Sequence, residues 1–320
     1  MAQVRGGHLL IQGIRKRGKT ELSWQRTVDR ALVHRDAIAE VLLTDIVQLD
    51  RTSFEVAAQW SRSHRVYRPD HEGRYDPMLL LETVRQTGLA LSHHGFGVPF
   101  GYKSVMHDVG FEMWPEAEPL GLHAATNVTI RVECENVVLR GDHLRGMTVV
   151  LAMSAHGMHF ATGSGTLSWL PERTFQALRA RNGGSSTASA LPPAGGSPVA
   201  SRFRAAADSL LVAEDPLPGR RRVLVPLDHP VYFDHPLDHV PGMLLADAAW
   251  QAASTLYPTS SIRLVECSMI CPAFTELFIP AWVLLEPVGP GQIAFRVEQD
   301  DRTTASGKLR FTIASAVLNS

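Results

Sequence analysis

The sequence predicts a duplicated α+β fold in which a curled antiparallel sheet wraps one buried helix, twice. Three observations predict it. A low-complexity segment cuts the 320-residue chain, two segments match across that cut at one constant offset, and each half pairs an apolar helical stretch with strands of period two.

The cut is Arg179 to Arg202, RARNGGSSTASALPPAGGSPVASR, which is rich in Gly, Ser, Ala and Pro and carries no apolar period. That composition marks a flexible linker. It divides the chain into a basic N-terminal extension (1–30), a first repeat (31–178), the linker (179–202) and a second repeat (203–320). The match runs from Ser63-His64-Arg65-Val66-Tyr67 and Met78-Leu-Leu-Leu-Glu82-Thr-Val-Arg85-Gln86 to Asp228-His229-Pro230-Val231-Tyr232 and Met243-Leu-Leu-Ala-Asp247-Ala-Ala-Trp250-Gln251. The offset is 165 residues at every position. Upstream, Ala39–Leu43 echoes Ala207–Leu211 at a slightly different offset. Two copies are too few for a solenoid and describe a fused pseudo-dimer.

Within each copy the elements follow in order. A short strand comes first, at Phe54–Trp60 and at Arg222–Leu227. A segment opening at Pro77 or Gly242 then stays apolar on nearly all sides for about four turns, the pattern of a buried helix. The first of these ends at His93-His94-Gly95, with Gly95 suited to a left-handed cap. The period then switches to two: Val128, Ile130 and Val132 alternate with polar neighbours, as do Met147, Val149, Leu151 and Met153, and Thr166–Trp169 closes the copy. In the second copy Ile293–Val297 and Leu309–Ile313 form a hairpin pair around Asp300-Asp301. One buried helix with antiparallel strands curled on it is the hotdog arrangement, here a tandem double hotdog.

Composition narrows the function classes. Net charge is −1 with a pI near 6.9, so no global field recruits nucleic acid or anionic lipid. The basic cluster Arg15-Lys16-Arg17 with Lys19 lies in a leader without aromatic interleaving and reads as a loosely ordered extension. No apolar run reaches the ~20 residues that span a bilayer. Three cysteines, Cys134, Cys267 and Cys271, build no disulfide framework and no four-ligand zinc site. They read as buried thiols in a reducing, cytoplasmic setting. Neither a metal nor another cofactor is expected.

A buried helix that keeps polar residues must satisfy them or use them. The first helix keeps Glu82, Arg85 and Gln86 at i, i+3 and i+4, on one face. The second keeps Asp247 and Gln251 at the matching positions, with Trp250 in place of the arginine. An acid beside a guanidinium stays ionised and can take a proton from a hydroxyl, and the arginine can hold a phosphate or polarise a carbonyl. The alternative reading of Glu82 and Arg85 is an ordinary i,i+3 ion pair. Recurrence of an acid in both copies favours a site. His235 precedes the second helix in Asp234-His235-Pro-Leu-Asp-His239-Val-Pro241-Gly242, a string similar to the active-site segment of hotdog dehydratases; alternatively it supports its loop.

Taken together, residues 31–315 resemble the A-factor synthase (AfsA) family. The carrying strings are Val33-His34-Arg35, Glu40-Val-Leu-Leu-Thr44-Asp45, Asp76-Pro77 through Gln86, Gly97-Val-Pro99 and His235 through Leu245. The resemblance implies two hotdog repeats and an acyltransferase that joins a β-ketoacyl group, delivered as an acyl-carrier-protein thioester, to the hydroxyl of dihydroxyacetone phosphate. The ester then closes to a butenolide phosphate on the way to a γ-butyrolactone signal. It implicates Glu82 as base or orienting acid, Arg85 as clamp and Asp247 as the acid of a second site. Gln86, Gln251, His235 and Trp250 are then expected to contact substrate. The second site departs from the family's Glu-x-x-Arg, since Asp247 is one methylene shorter and Trp250 cannot bind phosphate. Two other readings stay open: a hotdog dehydratase or thioesterase acting through His235 and Asp247, and a non-catalytic acyl or lactone binder.

Overall fold

The computed structural model describes residues 21–181, 211–215, 217, 219–257 and 261–314. The first repeat runs β1 (Leu43–Gln48), β2 (Ser53–Trp60), α1 (Met78–His94), β3 (Tyr102–Met113), β4 (Thr126–Arg140), β5 (His143–Ala155), β6 (Met158–Pro171) and α2 (Glu172–Arg181). The second runs β7 (Val212–Glu214), β8 (Arg220–Val223), α3 (Gly242–Ser254), β9 (Ser261–Ile270), β10 (Trp282–Gly289), β11 (Gln292–Gln299) and β12 (Arg302–Ala314). All twelve strands belong to one sheet, in the order β1-β2-β4-β5-β6-β3-β9-β12-β11-β10-β8-β7. Read from either edge inward, the order is the same. This is the double hotdog that the sequence predicts.

The seam is the antiparallel pair β3–β9, with Asp108 opposite Ile270, Gly110 opposite Ser268 and Glu112 opposite Glu266. A pseudo-twofold axis through Gly110 and Ser268 relates the halves. The two seam glutamates would repel, and Arg310 answers both: its Nε donates to Glu266 at 2.6 Å and its Nη2 to Glu112 at 2.7 Å. Even the irregularities repeat. The β3–β6 register skips between Met106 and Asp108, and the β12–β9 register skips at the corresponding place, between Arg310 and Phe311. Register then equates Val149 with Ile293, Gly165 with Leu309 and Leu167 with Phe311. Along the helices, Arg85 corresponds to Trp250 and Gly88 to Ala253.

Each sheet half wraps its helix because the helix has little polar surface to show. Fifteen residues of α1 are buried, Glu82, Thr83, Gln86 and Thr87 among them. The polar ones are satisfied locally: Thr83 and Thr87 hydroxyls donate to the carbonyls of Leu79 and Thr83. Asp76 Oδ1 accepts from Met78 N at 2.9 Å and starts the helix. Gln86 and Gln251 do the same job in the two copies. Their Oε1 atoms accept from the backbone N–H of Leu42 and Leu211, at 2.9 and 2.8 Å. The structural echo therefore pairs Leu42 with Leu211, one position away from the pairing that sequence similarity gives.

Four expectations need correction. Gly95 is not left-handed (φ −87°); it is small because a Cβ there would lie 2.6 Å from Phe54 Cζ, and the positive φ falls on Gly97. The strand expected at Arg222–Leu227 is β8, which ends at Val223, before Pro226. Residues 21–30 are not loose: Ser23 N donates to Asp45 Oδ2, Trp24 Nε1 to Val128 O and Val28 N to Leu43 O. Residues 1–20 lie outside the described residues. Arg179–Arg181 are the last turn of α2 rather than linker. Arg179 is buried, pairs with Asp238 and Glu276 of the second repeat and stacks 4.6 Å over Phe274, which fixes the turn that composition alone leaves open. The linker residues 182–202 also lie outside the described residues.

Replacing Gln251 by Ala removes the acceptor for the buried Leu211 N–H. We expect a loss of ~1–3 kcal/mol of stability in urea titrations, with no change of fold by circular dichroism.

Candidate active site

Glu82 sits at the centre of a buried ion cluster. Arg35 Nη2 donates to its Oε1 at 2.7 Å, Arg85 Nη2 to Oε1 and Nε to Oε2 at 2.8 Å each, and Gln86 Nε2 to Oε1 at 2.7 Å. Burial drives this carboxyl up, but the Arg35 and Arg85 guanidiniums beside it hold it well below the usual carboxylate range. An acid so strong, with both oxygens occupied, is a poor proton acceptor. Of the two roles expected of Glu82, base or orienting acid, this geometry fits the second: it fixes two guanidiniums in place.

Each guanidinium has a further task. Arg35 Nη1 donates to Val231 O of the second repeat at 2.6 Å, so the cluster also ties the halves together. Arg85 Nη2 donates to Val33 O at 3.2 Å, while its Nη1 has no hydrogen-bond partner among the described residues. Those two N–H groups belong to a side chain that lines a cavity of about 190 Å³ between the repeats. The cavity floor is apolar, with Val84, Leu89, Val109, Val149 and Leu167 from the first repeat and Met243 from the second. Its mouth is polar, with His34, Arg35, Arg85, Tyr232, His235 and His239. Through His34, Arg35, Ser104, His235, Leu237 and His239 it adjoins an outer chamber of about 640 Å³ whose walls include Arg30 and Lys103.

Two of the mouth histidines, His34 and His235, are held below the usual imidazole range. His34 has a left-handed backbone (φ 52°), and its Nε2 lies 2.8 Å from His93 Nε2. His93 Nδ1 faces Val98 O at 2.7 Å, so it carries the proton there and its Nε2 accepts from His34. Burial, then His93 and Arg85, lower His34 to about 3. His235 is lowered by burial and by Arg85 and Arg35, against which Asp234 acts in the other direction. Its Nδ1 is buried without a hydrogen bond, 3.8 Å from Asp234 Oδ2. Asp234 itself is held by the backbone N–H groups of Asp36 and Ala37 across the repeat boundary.

Of the residues the sequence singled out, Arg85 and His235 meet at this mouth, one from each repeat. The others do not line the cavity. Asp247 is fully buried; it accepts from the Tyr232 hydroxyl and, at 3.4 Å, from Gln251 Nε2. It stands behind Tyr232 instead of facing substrate. Gln86 and Gln251 hold backbone. Trp250 is 3% exposed and stacks on Phe311, with ring centroids 5.3 Å apart. Here the pseudo-twofold is broken. Where the first repeat leaves space beside Arg85, the second places Trp250, Phe311 and Leu309, all buried. Arg35 and His34 were visible only as part of a matching string. Nothing in local spacing says that Arg35 reaches Glu82 from 47 positions away.

These features define a fused double-hotdog protein with a largely apolar cavity between its repeats, lined at its mouth by the Arg35 and Arg85 guanidiniums and the His34, His235 and His239 imidazoles. The chain belongs to the A-factor biosynthesis hotdog domain family (AfsA), which matches residues 19–171 and 204–265. A relative from Streptomyces virginiae, a 2-oxo-3-(phosphooxy)propyl 3-oxoalkanoate synthase, is 35% identical over 88% of this chain and 96% of its own length. One of the same name from Streptomyces coelicolor is 29% identical over 71% of each. Among solved structures, an acyl-ACP thioesterase from Bacteroides thetaiotaomicron has a TM-score of 0.50 at 16% identity, covering 81% of this chain and 98% of that one. The 12:0-ACP thioesterase from Umbellularia californica has a TM-score of 0.51 at 9% identity with the same coverage. Both show a shared fold.

Glu82→Gln leaves two buried guanidiniums without their carboxylate, and we expect it to cost ~3–5 kcal/mol in urea unfolding. A second expectation concerns pH. The folded state holds His34 neutral down to about 3, whereas the unfolded chain protonates it near 6.5. The unfolded state thus binds the extra proton between these values, and stability falls as pH drops from about 6.5 towards 3, by up to about 1.4 kcal/mol per pH unit from this group. Unfolding midpoints of His34→Asn should decline less steeply over that window than those of the parent.

Proposed function

We propose that this protein is a β-ketoacyltransferase that makes a 2-oxo-3-(phosphooxy)propyl 3-oxoalkanoate. The observation that carries the reading is Arg85 Nη1, without a hydrogen-bond partner among the described residues, on a side chain at the mouth of a largely apolar cavity, in a chain 35% identical to a synthase of that name. The acyl chain lies on the apolar floor. Arg85 Nη1 donates to the thioester carbonyl oxygen and stabilises the oxyanion that forms there. The hydroxyl of dihydroxyacetone phosphate attacks the carbonyl carbon; a C–O bond forms and the C–S bond breaks. His235, with Asp234 behind it, accepts the hydroxyl proton and returns it to the departing thiolate. Arg30 and Lys103 line the outer chamber, where the acceptor's phosphate and the carrier's arm arrive. An acyl carrier protein is the donor that fits a chamber open to solvent. The buried thiols Cys134 and Cys267, pushed up to about 12 by burial, take no covalent part and suit a cytoplasmic setting.

Purified protein given a β-ketoacyl thioester and dihydroxyacetone phosphate should yield the phosphorylated ester or its butenolide by mass spectrometry. Arg85→Ala should lower kcat/KM by ~10²–10³-fold and His235→Ala by ~10²–10⁴-fold. Release of free β-keto acid in place of ester would overturn the reading in favour of a thioesterase, and tight acyl binding without turnover would favour a binder.

A further inference from the structure

Two glycines on the cavity wall sit where regular structure disfavours them. Gly88 is in the middle of α1 and Gly165 in the middle of β6. A glycine inside a helix or strand weakens it, so its presence asks for a local reason. Backbone conformation is not the reason, because neither residue has a positive φ. Space is. A Cβ at Gly88 would lie 3.2 Å from Leu167 Cδ2 and 3.6 Å from Val149 Cγ2; one at Gly165 would lie 3.4 Å from both Asp108 O and Val84 Cγ1. Only the first is tighter than ordinary contact, and it meets the end of a flexible side chain, so the fold does not forbid a side chain at either place. The second repeat demonstrates as much. Its equivalents of Gly88 and Gly165 are Ala253 and Leu309, both buried, and Val149 is matched by Ile293. The same scaffold thus carries larger groups at these positions in the second repeat, where Trp250, Leu309 and Phe311 are all buried.

We propose that Gly88 and Gly165 set the length of acyl chain this protein accepts, their missing side chains being the volume that the far end of the β-ketoacyl group occupies. The proposal rests on the acyltransferase reading and adds the residues that measure the substrate. Widening at Leu167, whose Cδ2 faces Gly88, should act in the opposite sense.

The test is a chain-length profile. The parent, Gly88→Ala, Gly165→Leu and Leu167→Ala are compared in ester formation across a series of β-ketoacyl thioesters. The same proteins are then compared in equilibrium binding of the corresponding non-cleavable thioethers. Gly165→Leu should lower the ratio of kcat/KM for the parent's longest good chain to that for a chain two to four carbons shorter by at least ~10-fold. Gly88→Ala should shift it the same way by less, and Leu167→Ala should raise it. Thermal melts confirm folding; Gly88→Ala adds only a methyl to a helix interior and serves as the conservative arm. A uniform fall in rate at every chain length, with the profile unmoved, would overturn the proposal. Should the parent form no ester at all, the activity reading fails alone. Thioether affinities that still shift to shorter chains in Gly165→Leu would then uphold the role of the glycines, and unshifted affinities would overturn it.

Discussion

The Arg35–Glu82–Arg85 cluster is the interaction on which the rest of the structure depends. One buried carboxylate is shared by two guanidiniums, and each guanidinium then reaches somewhere else: Arg35 to Val231 of the second repeat, Arg85 to Val33 and the cavity. A buried ion cluster of this kind seldom contributes much net stability, since desolvation consumes most of the Coulombic gain. What it supplies is geometry. Arg85 is held along its Nε–Nη2 edge by Glu82 and at Nη2 by Val33 O, so its Nη1 is fixed in place without reorganisation when charge develops on a substrate oxygen. The identity of the acid matters less for proton transfer than for this clamping.

Duplication and decay explain the arrangement around that cluster. Register, β-bulge and glutamine bracket all repeat across the β3–β9 seam, so the two halves retain one architecture. Chemistry does not repeat. Trp250 stands where Arg85 stands and Phe311 where Leu167 stands, and the two rings stack in the core. The second repeat nonetheless lines the cavity around Arg85. It lends Tyr232, His235 and the Asp234 carboxylate, and Arg179 of α2 reaches over to brace Asp238 in the same loop.

Much of this was legible in the sequence, and what was missed has physical causes. Helices α1 and α3 announced themselves because burial on all sides leaves an apolar run, and the constant offset of their polar residues exposed the duplication. Strands β4, β5, β11 and β12 alternate because one face meets the helix. Strands β3 and β9 escaped notice because β3 is only half-buried over its first part and interrupts its alternation at a bulge. The site was half legible. Arg85 and His235 stood in recognisable strings, but the charge partner of Glu82 comes from a distant loop, and only the fold brings Arg35 there. Asp247 looked like a second acid because it occupies the right helical position. Its hydrogen bond from Tyr232, fifteen residues away, is a tertiary fact. Trp250 stands at the helical position of Arg85, which the constant offset makes plain, yet only packing reveals that it is buried against Phe311.

The central claim is that the chain has one functional site, built on Arg85 and completed by the second repeat. Titration of a non-cleavable β-ketoacyl thioether, followed by native mass spectrometry, tests this most directly. The account predicts one ligand per chain, with affinity lost in Arg85→Ala and retained in Gln292→Ala on the outer β11 strand. Two ligands per chain, or one ligand whose affinity is indifferent to Arg85, would contradict it.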